Sequence, residues 1–404
     1  MKVSNCQICG SKDIQMQESF NGSAAIIEWV CQEGHRITRW YSQPTLNRGV
    51  LSGDFLISAT TVLSGNNFGK MKLWADMLQL KFPSASKFFR IQWTYLVPSV
   101  DRYWETHLQD LFQSLRGKDV VILGDGRNDS PGHSAQYCSY SVMDNETKKV
   151  IMLKTVDKRE TARKSVAMEK VALKACLEDL LQNQVNITKL VTDGHLGIAA
   201  MMRTDYSTLP KIKHSHDIWH IVLKKEHSVL RPWVKDIVNH FWHCCKVALT
   251  IKEFVGIWAA LLHHVTDEHE WLLPIQDGYY ECTLTAIVLD KHLLSKIAYY
   301  LNFRSTADLE GFNQHILMYC SKRFSYSPPV YRMRNLIAAL DHNNHVEREI
   351  QHNKDGSVSC ELIFFCKKYL YPVKEKKTYH YIDSLKKQIL MCRLVDKVGM
   401  SRRA

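Results

Sequence analysis

No stretch of this 404-residue sequence comes near the ~20 consecutive apolar residues that a membrane-crossing helix needs. A helical membrane protein is excluded, and no membrane partner is expected. The opening Met1-Lys2-Val3-Ser4-Asn5-Cys6 has no apolar signal region, so the expectation is a soluble, intracellular chain. Without a secretory context the 12 cysteines do not read as a disulfide framework. Scattered through a large chain, they read as reduced thiols plus one metal site. Acidic residues are also in short supply: 41 Asp and Glu face 53 Lys and Arg, a net charge of +12 that favours a polyanionic partner. Hydrophobic residues make up 45%, enough for a large core divided among several domains.

The excess charge is concentrated at one end. From Cys366 to Ala404, eleven Lys and Arg stand against three acids. Such a tail serves as a solubilising end, as a nuclear import signal, or as a contact for phosphates. Lys376, Lys377, Lys386 and Lys387 are its candidates for DNA contact.

Residues 1–45 hold two close-spaced pairs, Cys6-x-x-Cys9 and Cys31-Gln-Glu-Gly-His35, with 21 residues between them. Three thiolates and one imidazole on tight turns close a tetrahedral Zn²⁺ site with no open position, a structural zinc ribbon. Four unconnected polar and thiol residues are the alternative. Residues 46–117 read as helical. After Pro98, Val100, Tyr103, Trp104, Leu108, Leu111 and Phe112 recur at helical spacing and form one apolar face.

At Lys118 the pattern changes. Residues 120–123 are an apolar run that stops at Asp125, between Gly124 and Gly126, and read as a buried strand ending on a carboxylate. Asp129 is an alternative acid, but it falls inside the following Pro-Gly turn. Residues 136–143 and 149–156 read as two further strands joined at Asp144-Asn145. A helix from near Ala162 to Leu181 follows, then a fourth strand at 187–192 that ends on Asp193-Gly194. A short helix, a strand at 211–215 and a helix from about Ile218 complete the run. Three strands, helix, strand, helix, strand, helix is the order of ribonuclease H-like domains. In that sheet the first and fourth strands are neighbours, so Asp125 and Asp193 are expected to face each other.

Residues 222–300 abandon the strand pattern for a helical segment containing Trp233, Trp242, Trp258 and Trp271. Beyond it, Ser305 and Asp308 form a capping-box pattern, and Leu309, Phe312, Ile316 and Leu317 supply a buried stripe. Glu310 lies beside that stripe in the first turn, where the helix dipole favours a carboxylate. Three acids from two adjacent strands and a helix would raise one another's pKa if left alone. They suit a pair of hard divalent cations ~3.5–4 Å apart, the arrangement that activates an attacking oxygen and stabilises a leaving one.

From Gly124 to about His345 the sequence resembles the DDE transposases of cut-and-paste DNA transposons, most closely the Kolobok-like group. The resembling residues are the run from Asp125 through Pro131-Gly132-His133, then Thr192-Asp193-Gly194-His195, Asp217-Ile218-Trp219-His220, Leu309-Glu310, Tyr319-Cys320-Ser321-Lys322-Arg323 and Ala339-Leu340-Asp341-His342-Asn343. The resemblance implies a ribonuclease H-like mixed α/β sheet interrupted by a large all-α insertion, preceded by a zinc ribbon and a helical N-terminal region. The segments are then 1–45 (zinc ribbon), 46–117 (helical region), 118–221 (first part of the core), 222–300 (helical insertion), 301–350 (the helix of the third acid) and 351–404 (basic tail).

It further implies Asp125, Asp193 and Glu310 as ligands of catalytic Mg²⁺ or Mn²⁺, with Zn²⁺ on Cys6, Cys9, Cys31 and His35. His220 would lie close by with Asp217 in support, or the two form a packed, hydrogen-bonded pair. Trp219 and Trp242 either stack on an unpaired base at the transposon end or belong to the core. The implied activity is metal-dependent cleavage and strand transfer of transposon ends, acting on double-stranded DNA at element ends and target, in the nucleus and as a homo-oligomer. Many relatives begin with a THAP-type finger, for which there is no room before Cys6. That departure leaves an alternative: a domesticated, catalytically silent DNA-binding protein.

Overall fold

The computed structural model describes residues 4–130, 134–193, 195–206, 212–216, 233–265, 283–291, 293–294, 297, 306–365 and 367–396. In chain order these form β1 (Ile14–Asn21), β2 (Ala24–Cys31), β3 (Arg36–Tyr41), the short strands β4 (Thr45–Leu46) and β5 (Val50–Leu51), and helices α1 (Ser52–Leu63), α2 (Phe68–Met77), α3 (Ala85–Ile91) and α4 (Val97–Leu115). Strands β6 (Asp119–Asn128), β7 (Tyr137–Asp144) and β8 (Val150–Asp157) come next, then α5 (Met168–Gln182), β9 (Asn186–Thr192), α6 (Leu196–Thr204) and β10 (Lys213–His216). Helices α7 (Val234–Val247), α8 (Ile251–Val265), α9 (Thr283–Val288), α10 (Ala307–Tyr319) and α11 (Pro328–His345) lead to β11 (Cys360–Phe365), β12 (Lys367–Pro372) and α12 (His380–Val395). The chain divides into two compact units, one of residues 1–110 with 314–404 and the other of residues 111–313.

The second unit is built on a five-stranded mixed sheet in the order β10-β9-β6-β7-β8. β6, β7 and β8 are mutually antiparallel, whereas β9 runs parallel to β6 and β10 parallel to β9. The sheet forms because its strands are apolar on both faces. Val120, Ile122 and Leu123 on β6 and Leu190 and Val191 on β9 are all buried, as parallel strands covered by helices require. α5 lies across β7 and β8 and buries Ala172, Leu173, Cys176, Leu177 and Leu180. Helices α7, α8 and α9 enclose a core of their own around Phe241, Phe254 and Trp258, whose indole donates to the Val288 carbonyl at 3.0 Å.

Two elements differ from the sequence reading, and a third expectation lies partly outside the described residues. β6 does not stop at Asp125 but continues to Asn128, because β7 keeps pairing with it as far as Asn128↔Cys138. The helix expected from Ala162 begins at Met168. Asp157 and Glu160 form a capping box around a short 3₁₀ turn, and Ala162 and Arg163 then take left-handed backbone conformations that interrupt any helix. Asp308, expected in a capping box with Ser305, pairs with Lys148 at 3.0 Å; Ser305 lies outside the described residues.

The other unit holds the three-stranded sheet β1-β2-β3 and a helical core. The turn between β1 and β2 is fastened to α1 and α3 by Asp54, which is fully buried. Its carboxylate accepts from the Ser23 amide at 2.7 Å and hydroxyl at 2.6 Å and is paired with Lys87. On α4, Val100, Trp104 and Leu108 are buried as their spacing predicts, Tyr103 is only half-buried, and Leu111 and Phe112, also buried, belong to the 111–313 unit. Residues 351–404, expected as a basic tail, are instead folded over most of their described length. β11 and β12 form a hairpin, and α12 packs on α1 and buries Tyr381, Leu385, Ile389 and the 1%-exposed Arg393. Regularly spaced apolar residues among the lysines give α12 a buried stripe. Lys376 and Lys387 are exposed, Lys386 pairs with Asp383 at 2.8 Å, and Lys377 is drawn to Asp341 at 2.9 Å.

Candidate active site and metal centre

The register of β6 against β9 sets the site. Their parallel pairing is last recorded at Leu123↔Val191. Asp125 lies two residues beyond that pair on β6 and Asp193 two residues beyond it, just past the end of β9, and among the neighbouring charges Asp193 acts most strongly on Asp125. β9 ends at Thr192, which leaves the β9-side edge of β6 open at Asp125. The open edge is occupied by polar groups. Asp125 Oδ1 accepts from the Gly126 amide at 2.8 Å, and Oδ2 accepts from Nδ2 of Asn313 on α10 at 2.7 Å. Glu310 is one turn before Asn313 and exposed, with its charge acting on Asp125.

Glu169, in the first turn of α5, is a fourth acid that the sequence reading missed. It accepts from Asn128 Nδ2 at 3.5 Å and lies 3.8 Å from His195 Nε2. His195 Nδ1 accepts from the Ile198 amide at 3.2 Å, which places the proton of a neutral ring on Nε2, toward Glu169. The Gly-Asp-Gly pattern carried a signal of this arrangement. A Cβ on Gly126 would meet Glu169 Cγ at 2.7 Å, and one on Gly124 would meet the Tyr140 hydroxyl at 2.8 Å. Only glycine leaves room for Glu169 and Tyr140 to approach beside Asp125.

The electrostatics follow from this crowding. Burial pushes the Asp125 carboxyl up to about 7, with Asp193 adding most among its neighbours and Glu169 and Glu310 less, while the Gly126 amide acts in the opposite direction. Burial, with the charge of Asp193, also raises Glu169. Tyr140, 1% exposed, is raised well above its ordinary value by burial and then by Asp125 and Asp193. Three polar atoms here are buried without a hydrogen-bond partner: Asn313 Oδ1, the Tyr140 hydroxyl, and Oγ of Ser141, which pairs with Asp125 across the sheet. Orphaned oxygens beside like-charged acids are the surroundings a hard cation would satisfy. The carboxylates are not among the groups whose ligand atoms all fall within 4.8 Å. A pair of ions ~3.5–4 Å apart spreads its ligands more widely than a single ion does.

The other predicted residues are distributed as follows. Asp129, the alternative acid, accepts from the Gln136 and Tyr137 amides at 2.9 and 3.2 Å, so it closes its own turn. Asp217, Trp219 and His220 lie outside the described residues. Trp242 is half-buried and packs against the core of α7, α8 and α9 rather than standing free for a base.

Cys6, Cys9, Cys31 and His35 form a separate cluster, the one such group among the described residues. Cys6 and Cys9 flank the turn before β1, and Cys31 and His35 flank the turn between β2 and β3. Cys9 and Cys31 sulfurs are 3.6 Å apart, and His35 Nδ1 is 3.5 Å from Cys31 and 3.9 Å from Cys6. Zinc–sulfur bonds of about 2.3 Å require tetrahedral edges of about 3.8 Å, close to this spacing. The backbone amides of Cys9 and Ile8 pull Cys6 down to about 6, toward the thiolate that ligation needs. The four can hold Zn²⁺.

No protein-family model matches the chain, and no curated protein matches it. Among solved structures it is similar to one titled "Drosophila P element transposase strand transfer complex", with 12% identity and a TM-score of 0.26 over 86% of this chain and 93% of that one. A TM-score of that size does not establish a common fold.

Proposed function

We propose that the protein is a metal-dependent phosphoryl transferase acting on double-stranded DNA, with a ribonuclease H-like core and a DDE-type site of Asp125, Asp193 and Glu310. The observation that carries the reading is Asp125: half-buried just beyond the last β6–β9 pair, under the charges of Asp193, Glu169 and Glu310, with desolvation and those charges pushing its carboxyl up to about 7. A carboxyl in that state gains most from a divalent ion, which displaces the proton and relieves the repulsion. Mg²⁺ or Mn²⁺ bound there would polarise a phosphodiester and activate the attacking oxygen. Asp125 and Asp193 would hold it from the sheet and Glu310 from α10, while Asn313 orients Asp125 and the His195–Glu169 pair takes up or returns a proton at the edge. The same resemblance in sequence motifs suggests transposon ends as the DNA, a Kolobok-like lineage, a nuclear location and a homo-oligomer.

Purified protein with Mn²⁺ and DNA carrying the element's ends tests the reading. Nicking or joining is expected, and Asp193→Asn abolishes it; cleavage unaffected by that substitution would overturn the assignment. One observation favours a second reading, a DNA-binding protein without catalysis: both Asp125 oxygens already accept hydrogen bonds. Stoichiometric Mn²⁺ binding that is lost in Asp125→Asn decides against it.

A further inference from the structure

In the unit of residues 1–110 and 314–404, a cleft of about 480 Å³ opens between the start of α2 and the turn that follows α10. Its walls carry two cations, Lys70 and Arg323, and no acid. Both are exposed, and neither makes an ion pair among the described residues; Lys70 lies 6.0 Å over the Phe324 ring. A third cation stands behind the wall. Arg334 is 3% exposed, with Nη1 donating to the Tyr319 carbonyl at 2.8 Å and Nη2 to the Asn66 carbonyl at 2.9 Å, both wall residues. Its guanidinium centre is 5.2 Å from the ring of Tyr326, another wall residue, and its buried Nε has no hydrogen-bond partner.

Buried charges are ordinarily paired, because desolvation is too costly otherwise. The two carbonyls satisfy two Arg334 nitrogens but bring no net negative charge. No carboxylate reaches this arginine among the described residues, so the cleft has a net positive potential built from three side chains. The start of α2 adds to it. Asn67 caps one first-turn amide by accepting from Lys70 N at 2.9 Å, and the amides before it, at Phe68 and Gly69, are helix-start donors with no intrahelical acceptor.

We infer that this cleft binds a phosphate group, supplied by the backbone of a DNA strand. The cleft is much larger than one phosphate, and Phe324 and Tyr326 offer apolar surface for the adjoining sugar or base. The inference rests on DNA as the substrate of the proposed reaction, but none of its residues belongs to the carboxylate site.

Anisotropy of a short fluorescein-labelled duplex, titrated with full-length protein at several KCl concentrations, tests it. Reversing both charges (Lys70→Glu with Arg323→Glu) is expected to weaken binding by about tenfold or more and to reduce the slope of log K against log salt by roughly 2, about 0.9 per lost phosphate contact. Unchanged affinity and slope in a double variant that melts like the wild type would overturn the inference while leaving the proposed reaction intact. Thermal protection by inorganic phosphate in the wild type but not the double variant, with the DNA slope unchanged, would assign the cleft to free phosphate and overturn the DNA source. Loss of slope in the double variant of a protein that binds DNA yet never nicks it would support the cleft and overturn the catalytic reading.

Discussion

Asn313 Nδ2 donates to Asp125 Oδ2 at 2.7 Å, joining residues 188 apart in sequence. The bond fixes the first turns of α10, and with them Glu310, to the strand that carries the first acid. A hydrogen bond to a charged group contributes about 1.5–3 kcal/mol. Asn313→Ala should therefore lower the melting temperature by several degrees, and by freeing the first turns of α10 it should also weaken Mn²⁺ binding, measured by calorimetry. Unaltered affinity would mean that α10 takes no part in positioning Asp125.

The acid cluster makes the metal-free protein sensitive to pH in an unusual direction. Burial and neighbouring carboxylates raise Asp125 from 3.8 to about 7. A carboxyl raised in the folded state holds its proton more tightly there than in the unfolded chain. Its contribution to stability is complete below 3.8 and is lost as pH rises toward about 7. Metal-free wild type should therefore melt at progressively lower temperature across that window, Asp125→Asn should show a flatter profile, and Mg²⁺ should restore the wild type at the upper end. A wild-type profile that is flat there, or rises, would contradict the site's electrostatics.

The opposite case is Asp341, 1% exposed on α11. Burial alone would raise it, but His315 at 2.8 Å and Lys377 at 2.9 Å outweigh that and hold it well below the ordinary carboxylate range, with the Tyr381 hydroxyl and His345 each at 3.0 Å. Its contribution is present above the unfolded value and lost as pH falls through the lower folded one. Asp341→Ala leaves Lys377 without its carboxylate and the His315, His345 and Tyr381 contacts unmade, and should cost about 3–5 kcal/mol, visible in urea unfolding. Lys377→Met should reduce stability rather than DNA affinity, and combining the two changes should cost less than their sum. A strict sum would show that the pair does not interact.

The sheet was legible in the sequence because its signals are local. Short β-rich runs, two of them ending near an acid beside glycine, marked the strands in chain order, and the ribonuclease H-like order then made β6 and β9 neighbours, as their pairing shows. The continuation of β6 to Asn128 was not legible, since it depends on how far β7 pairs beside it. Glu169 was hidden for a similar reason: in sequence it is one charge in a helix rich in Lys and Glu, and only the approach of that helix over Gly126 gives it a role. Asn313 was within reach, one turn from Glu310 on the same helix face, but an amide carries no metal-ligand signature. The lysines of the C-terminal segment misled because net charge says nothing about the apolar stripe of Leu385 and Ile389 that folds it.

The zinc cluster is where local spacing and final geometry agree most closely, and it admits a strict test. β1 is exposed along most of its length and β3 only half-buried, so little apolar burial holds this sheet together. With zinc bound, its order would come largely from Cys6, Cys9, Cys31 and His35 and from Asp54 at the opposite turn. Cys31→Ser removes a buried ligand and is expected to leave protein with less than one zinc per chain by atomic absorption. Amides of residues 14–41 should then exchange their hydrogens much faster, while those of β6 through β9 keep their protection, because that sheet has its own core. Chelation of wild-type protein at neutral pH should reproduce the pattern, and so should acid strong enough for protons to compete with zinc for the thiolates. Retained zinc in Cys31→Ser, or uniform loss of protection across both sheets, would show that the cluster is not the structural centre of the N-terminal strands.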